Sequence, residues 1–262
     1  MAVWKLKERN DLVRANEVID VAPVCIWGGG ATPSTINVID QVNPVTTGDA
    51  TDFGDLDAAR QYMGGMGNKI KGIFGGGDFA VNVIQSTAIF ATGGNSSDFG
   101  NLTVGRLGST AVGNDTRILF AGGDSAPNYY NTIDQVSFAT TGNATDFGDV
   151  GYSRANARGV SNNTRGVYSG GESASSPNPS INNIEFITMS TSGNGQDFGD
   201  LVDAGSSFAT ASSPTRGVNM GGYRDGEVNF IDFITIATTG NSQDFGDLIN
   251  TARNGNGGVS NG

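Results

Sequence analysis

The pentapeptide Asp-Phe-Gly-Asp-Leu, or a close variant of it, occurs five times along the 262 residues of the chain. The leading aspartates of successive copies are separated by 46, 48, 51 and 47 residues. A nearly fixed period in this range indicates one supersecondary unit that is used repeatedly. The aspartates and phenylalanines of the five copies are Asp52, Asp98, Asp146, Asp197 and Asp244, and Phe53, Phe99, Phe147, Phe198 and Phe245.

Each repeat contains four short segments with the character of antiparallel strands. In the fourth copy these are residues 154–161, residues 166–169 before a Gly-Gly pair, residues 184–190 with alternating apolar side chains, and residues 196–201. The turn at residues 192–195 favours a hairpin, because Gly and Asn tolerate positive φ. Four antiparallel strands in a unit of about 48 residues describe one blade of a β-propeller.

The two ends of the chain predict how the ring closes. Residues 24–56 contain the last three segments of a repeat, and the missing first segment matches residues 251–261. We therefore expect the C-terminal strand to complete the first blade and to remove the open sheet edges. The 41 glycines beside 37% apolar residues agree with many turns between short strands. Residues 23–262 are thus predicted to form an all-β, five-bladed propeller.

Three further features of the repeat resemble the kelch repeat. A Gly-Gly pair ends the second segment, an arginine leads the first, and the Phe of Asp-Phe-Gly stands where kelch blades usually carry Trp. The pairs lie at 29–30, 76–77, 122–123, 170–171 and 221–222, and the arginines are Arg60, Arg106, Arg154 and Arg253. Gly205 replaces the arginine in one unit, where we expect the arginine contact to be absent. The resemblance implies a kelch-like propeller and says little about function.

The repeated Asp-Phe-Gly residues are predicted to be structural. Each Phe would insert between blades, and each Asp would bond to turn amides or to the repeated arginines. A kinase-like magnesium site is excluded, because the chain lacks the accompanying Gly-rich and catalytic loops. One polar residue also recurs in the third segment of each blade: Asp40, Ser86, Asp134, Glu185 and Asp232. A single carboxylate in each of four blades, with Ser86 in the fifth, fits inter-strand pairing better than a calcium ring, so no metal and no cofactor is predicted.

Composition excludes several functional classes. The formal charge of −11 disfavours nucleic acid and anionic membrane surfaces as partners. The chain has no His, and its single Cys25 is therefore interpreted as a buried thiol rather than a nucleophile. No apolar run is long enough to insert in a membrane, and the N-terminus lacks the features of a secretory signal. The protein is expected to be made and kept in a cytoplasm until it is assembled.

Residues 1–22 lie outside the repeat. Trp4, Leu6, Leu12 and Val13 are interspersed with charged residues, a pattern that fits a short amphipathic helix or an extended arm. Such an arm is costly to leave in water. It either folds back on the propeller or docks onto a partner, and we expect a docking arm.

The loops after the Gly-Gly pairs differ from blade to blade, whereas the other turns are nearly uniform. Variable loops on a rigid scaffold are where binding often resides, although ordinary loop drift explains them equally simply. Aromatic residues with nearby amides can stack on sugars or anchor a protein interface. The candidate ligand or partner residues are Phe79, Asn128, Tyr129, Tyr130, Tyr223 and Arg224.

The near-identity of the segments at 141–150, 191–201 and 239–248 resembles the kelch-like propellers of virion proteins from tailed, particularly marine, phages. That resemblance implies a non-enzymatic virion component of the tail, neck or capsid surface, present in several copies. It would contact other virion proteins through residues 1–22 and display a propeller toward a host-surface glycan or protein. A lectin-like carbohydrate-binding propeller is the alternative. A glycosidase is disfavoured, because the predicted innermost strands carry no acid.

Overall fold

The computed structural model describes residues 24–88, 90–173, 180–224 and 226–249. These residues form small antiparallel sheets arranged in a ring of five blades, which confirms the predicted all-β propeller. The first blade contains β1 (Cys25–Gly28), β2 (Val38–Val42) and β3 (Thr51–Asp55), and the second contains β4 (Gly64–Gly67), β5 (Gly72–Gly75), β6 (Val83–Ser86) and β7 (Ser97–Asn101). A 3₁₀ turn at Asp78–Ala80 follows β5.

The other three blades each have four strands, and the third carries an additional hairpin. The third blade contains β8 (Thr110–Gly113), β9 (Arg117–Ala121), the hairpin β10 (Asp124–Ser125) and β11 (Asn128–Tyr129), β12 (Thr132–Ser137) and β13 (Thr145–Asp149). The fourth contains β14 (Arg158–Ser161), β15 (Arg165–Ser169), β16 (Asn183–Thr188) and β17 (Gln196–Asp200). The fifth contains β18 (Ala209–Ser212), β19 (Arg216–Met220), β20 (Phe230–Thr235) and β21 (Gln243–Asp247).

The innermost strands β4, β8, β14 and β18 follow one another around the centre, since each lies beside the next. Blade 1 shows three strands within the described residues, in the order β1-β2-β3. Two predicted segments lie outside the described residues. They are the fourth strand of blade 1, residues 251–262, and the docking arm with Trp4, Leu6, Leu12 and Val13.

The Asp-Phe-Gly-Asp strand contains a β-bulge that the sequence analysis did not foresee. In every blade the register with the third strand shifts by one residue beside the repeated glycine, for example between Ile133 and Asp134 opposite Gly148. Gly148 has φ 148°, a value that favours glycine. The Oδ1 of Asp146 accepts the Gly148 N–H at 3.0 Å. The leading aspartate therefore stabilises the bulge rather than pairing with an arginine.

Adjacent blades are joined by a repeated seam between this bulged strand and the Gly-Asn hairpin of the following blade. Gly193 N donates to Phe147 O at 2.8 Å, and Gly195 N donates to Asp149 O at 2.7 Å. The Oδ1 of Asn194 accepts the Asp149 N–H at 3.1 Å. The same bonds join blades 1 and 2, 2 and 3, and 4 and 5. The Gly-Asn pairs thus serve both as hairpin turns and as connectors between blades.

The hydrophobic core lies between the blades, in one cluster for each of these four seams. The repeated phenylalanines Phe53, Phe99, Phe147 and Phe198 are each at most 4% exposed. Phe245 in blade 5 differs, because 56% of it is exposed. Its neighbour Gly246 has open space where a Cβ would be, whereas the equivalent glycines abut a hairpin of the next blade. The described residues therefore do not bury Phe245 in a fifth seam.

Two of the repeated arginines, Arg106 and Arg154, pair with the acids of the third strands inside their blades. Arg106 bonds Asp134 at 2.9 Å with both side chains fully buried, and Arg154 pairs with Glu185. Burial lowers the pKa of Arg106 and Arg154 and raises the pKa of Glu185, and in each case the partner opposes the shift. Breaking such a pair leaves an uncompensated buried charge.

The strand boundaries and one register assignment required correction. The first strand of blade 4 begins at Arg158 and not at residue 154, because Arg154 turns inward to bond its acid. In blade 2 the residue equivalent to Asp134 is Gln85 rather than Ser86, as the pairing of Gln85 with Asp98 shows. Gln85 accepts the Asp57 N–H at 3.1 Å, and Asp57 in turn pairs with Arg60 at 2.9 Å.

Candidate functional site

The segments that follow the Gly-Gly pairs lie together at one end of the propeller, because each connects the second strand of a blade to the third. We call this end the loop face and the opposite end, with the Gly-Asn hairpins, the hairpin face. The loop-face segments are residues 29–37, 76–82, 122–131, 170–182 and 221–229, of which 174–179 and 225 lie outside the described residues.

Backbone hydrogen bonds hold the Gly-Gly pair at the start of the variable loops. Gly122 and Gly123 have φ of 64° and 101°, values that favour glycine. The N–H of Gly123 donates to the carbonyl oxygen of Arg154, the arginine that leads into the next blade, at 2.7 Å. Equivalent bonds of 2.8 to 3.0 Å hold the Gly-Gly pairs of blades 1, 2 and 4. The backbone is thus fixed before each loop begins to vary.

A chain of backbone hydrogen bonds links successive blades on the loop face. Gly108 N donates to Tyr62 O at 2.9 Å, Asn156 N to Gly108 O at 2.8 Å, and Ser207 N to Asn156 O at 3.0 Å. All four residues have φ between 54° and 63°, although only one of them is glycine. Positive φ in Tyr, Asn and Ser is uncommon and is retained only where surrounding structure enforces it. Because the four residue types are dissimilar, no repeated sequence pattern marks this arrangement.

Glu172, in the loop of blade 4, bonds to the segments that lead into blades 4 and 5. Its Oε1 accepts the Ser206 hydroxyl at 2.9 Å, and its Oε2 accepts the Asn156 side-chain N–H at 3.4 Å. Burial raises the pKa of Asp124, and the nearby Glu172 raises it further. The pKa of Tyr129 is also raised, by burial and then by Glu172 and Asp124. Sequence analysis did not single out these two acids, although each directly follows a Gly-Gly pair.

Phe79 is the most exposed large apolar residue on the described part of the loop face. Its side chain is 95% exposed, and the backbone of Phe79 and Ala80 has φ of 61° and 52°. The 3₁₀ turn that carries Phe79 approaches β10 of the next blade. Tyr62 and Tyr223 are 59% and 42% exposed. A strained backbone that presents an aromatic ring to solvent is typical of a recognition surface.

The other predicted loop-face residues differ in accessibility. Asn128 is exposed, and Tyr129 and Tyr130 are half-buried. The Tyr130 hydroxyl bonds Ser125 Oγ at 2.6 Å, so that side chain also holds the hairpin together.

Arg224 turns inward and pairs with the acid of blade 5. It thereby supplies the arginine contact that was expected to be absent, because Gly205 stands at the usual arginine position. Its Nη2 bonds Asp232 at 2.7 Å, and its side chain is only 5% exposed. The guanidinium lies 5.0 Å from the ring centres of both Phe208 and Phe230. A Cβ on Gly205 would lie 2.8 Å from the Arg224 Cγ, so the missing side chain makes room for Arg224. The prediction of an absent arginine contact in blade 5 was therefore wrong.

The innermost strands present few ionisable groups to the centre of the propeller. Strands β4, β8, β14 and β18 have the sequences GGMG, TAVG, RGVS and ATAS. Arg158 donates to Phe208 O at 2.8 Å and to Ala157 O at 3.1 Å, and burial lowers its pKa. Within the described ranges no three His, Cys, Asp or Glu side chains are grouped to hold a metal ion.

No family model matches the chain. No characterised protein matches its sequence either. In the part of the chain that the structure describes, no helix has the length and apolarity needed to cross a membrane.

Proposed function

We propose that the chain is a non-enzymatic virion component of a tailed phage, with a kelch-like propeller that is anchored through residues 1–22. The loop face then recognises a host-surface protein or glycan. The observation that carries the recognition role is the contrast between the two parts of each blade. The four described seams repeat the same backbone hydrogen bonds, whereas the loops after Gly-Gly diverge in length and sequence.

The chemistry of the loop face supports a binding role. Phe79, Tyr62 and Tyr223 expose aromatic surface, and Asp124 and Glu172 lie within electrostatic reach of each other. Arg60 and Arg224 on this face are engaged, since Arg60 pairs with Asp57 and Arg224 pairs with the buried Asp232. Aromatic surface rimmed by hydrogen-bond acceptors suits sugar hydroxyls or a basic protein surface. A lectin-like propeller without a particle is the alternative function.

The anchoring proposal is tested on gradient-purified particles of the phage that encodes this chain. We expect mass spectrometry to detect its peptides at several copies per particle. Cryo-electron microscopy should then place residues 1–22 against another virion protein. Particles that lack the chain, or an arm packed on its own propeller, would contradict the anchoring role and favour the lectin-like alternative.

The recognition proposal is tested by removing the exposed ring of Phe79. Hot-spot aromatics commonly contribute enough binding energy that Phe79→Ala should slow adsorption to host cells by about tenfold. Val45→Ala is the matched control, because Val45 is 75% exposed in the connection of residues 43–50 on the hairpin face. Equal adsorption by both variants would show that the loop face does not bind the host.

A further inference from the structure

A cavity of about 350 Å³ lies at the hairpin-face end of blade 3. It is bounded by the turn before β9, the end of β12 and the hairpin that leads to β13. We call it the blade 3 pocket. Its lining consists mainly of hydroxyl, amide and guanidinium side chains: Thr116, Arg117, Gln135, Val136, Ser137, Thr140, Thr141, Gly142, Asn143 and Thr145.

The pocket exists because blade 3 carries Gln135 where blades 4 and 5 carry Phe. In those blades Phe186 and Phe233 pack edge-on against the Phe of Asp-Phe-Gly, with ring centres 6.0 Å apart. The equivalent cavity in blade 5, which is lined by Phe233, has a volume of only about 130 Å³. The smaller, polar Gln135 leaves the space open in blade 3.

The same substitution changes the environment of the arginine at the start of the second strand. Arg165 and Arg216 lie over the rings of Phe186 and Phe233, at 4.3 and 4.4 Å from the ring centres. Arg117 instead donates to Gln135 Oε1 at 3.3 Å and lines the pocket. Blade 1 has Gln41 at the glutamine position but Val24 at the arginine position. Among the described blades, blade 3 alone combines the arginine with the glutamine.

Arg117 gives this cavity a positive charge that no neighbouring acid neutralises. Within the described part of the chain, Arg117 has no carboxylate at ion-pair distance. Asp115 and Asp146 are adjacent in sequence to the lining residues Thr116 and Thr145, but neither lines the pocket. Asp146 is engaged with the Gly148 N–H. An anionic ligand group would therefore meet Arg117 directly.

The donor set selects the ligand class. A guanidinium presents a planar pair of N–H donors that matches a carboxylate. Ser137 Oγ accepts the Ala139 N–H at 3.1 Å and keeps its own proton to donate. The pocket is also lined by four threonines and by Asn143, whose hydroxyl and amide groups suit the hydroxyls of a sugar. The net charge of −11 disfavours a polyanion but tolerates a single carboxylate within a screening length of about 8 Å.

We propose that the blade 3 pocket binds a monosaccharide that carries one carboxylate, of the uronic acid class. The carboxylate lies on Arg117, and the ring hydroxyls face the threonine and asparagine side chains of the hairpin. Its volume is near the lower end of ligand pockets, about 300 Å³, which suits one sugar ring. The site is on the face opposite the variable loops. The proposed sugar binding does not depend on the virion proposal. If glucuronate failed to bind, the virion proposal would be unaffected.

The test is a titration of the full-length protein with glucuronate, followed by amide chemical shifts in ¹H–¹⁵N NMR spectra. We expect saturable shifts confined to residues 116–117 and 135–145. Arg117→Gln should weaken glucuronate binding by about tenfold, because the charged hydrogen bonds are lost. Gln135→Phe copies the arrangement of blades 4 and 5 and should abolish binding. Arg216→Gln is the matched control, and it should bind as the wild type does.

Two further probes separate a sugar site from a simpler one. Glucose, which lacks the carboxylate, should bind at least about tenfold more weakly than glucuronate, and acetate and inorganic phosphate should bind more weakly still. Phosphate or acetate that binds as tightly as glucuronate would show an anion site and overturn the sugar assignment. Glucuronate binding retained by Gln135→Phe, with a native spectrum, would overturn the location.

Discussion

Arg224 shows how one side chain replaces another at the same buried acid. In blades 3 and 4 the arginine comes from the segment that leads into the blade, through Arg106 and Arg154. In blade 5 it comes from the loop after Gly-Gly instead, and Gly205 leaves the space for it. Asp232 is fully buried and also accepts the Asn219 side-chain N–H at 2.8 Å. The acid therefore requires a cation, whichever segment supplies it.

Replacing Arg224 by methionine should strongly destabilise the protein. Removal of one partner of a buried ion pair costs about 3–5 kcal/mol, because the other charge stays buried without compensation. Arg224→Met should lower the free energy of unfolding by about that amount in urea denaturation. The double variant with Asp232→Asn removes the stranded charge and should recover part of the loss. A single variant as stable as the wild type would refute the structural role of Arg224.

The element that defines the architecture is the bulged strand with the hairpin that docks on it. A Cβ on Gly148 would lie 2.4 Å from Gly193 O, so the hairpin of blade 4 fits only against a glycine. Gly246 has nearly the same backbone, with φ 137° against 148°, but nothing within 4 Å of its Cβ position. Both glycines therefore have nearly the same backbone strain, but only Gly148 also contacts a neighbouring blade.

Alanine at Gly148 should lower the free energy of unfolding more than alanine at Gly246. Gly246→Ala should cost about 1 kcal/mol, which is the strain of a non-glycine residue at positive φ. Gly148→Ala should cost about 2–4 kcal/mol, because the hairpin of blade 4 must also move away. Urea denaturation of both variants measures the difference. If both variants lost the same free energy of unfolding, the contact of Gly148 with the hairpin of blade 4 would contribute nothing, contrary to the structure.

The whole molecule is a ring whose four described seams are alike. Between the outer strand of blade 5 and the hairpin of blade 1, Phe245 is 56% exposed and Gly48 has open space at its Cβ position. Beside β1, a cavity of about 500 Å³ is lined by apolar residues that include Ile26, Trp27 and Phe74. An unpaired strand edge next to apolar surface favours association with another strand.

Deletion of residues 251–262 should therefore destabilise the ring. The sequence predicts that this segment completes the first blade, and by analogy with Arg106 and Asp134 in blade 3 we expect Arg253 to pair with Asp40. Size-exclusion chromatography and thermal melting of the truncated chain should show aggregation and a lower Tm. Arg253→Met tests the ion pair without removing the strand, and it should also lower the Tm. A truncated protein that stays monomeric with an unchanged melting curve would disprove closure by this segment.

Most of the architecture was determined by the sequence itself. The period of the Asp-Phe-Gly-Asp copies predicted the blades, and the antiparallel order of the strands placed the variable loops on one face. Both follow from local rules, because turn residues and strand alternation act over a few positions. The loop-face residues Phe79, Asn128 and Tyr223 could be selected in this way, and their role in recognition stays a prediction.

Only the tertiary structure decided which side chains and strands meet across turns and between blades. Arg224 turns inward to Asp232 of its own blade because Gly205 leaves room for it. The bulge at Gly148 fits the hairpin of blade 4, and Glu172 accepts the hydroxyl of Ser206. The blade 3 pocket depends on a single difference, Gln135 in place of Phe, which matters only because a hairpin lies opposite it. Local patterns indicate which segments become strands and where the chain turns between them. Partners across a seam are fixed by packing and by the need to compensate buried charge, which no local pattern encodes.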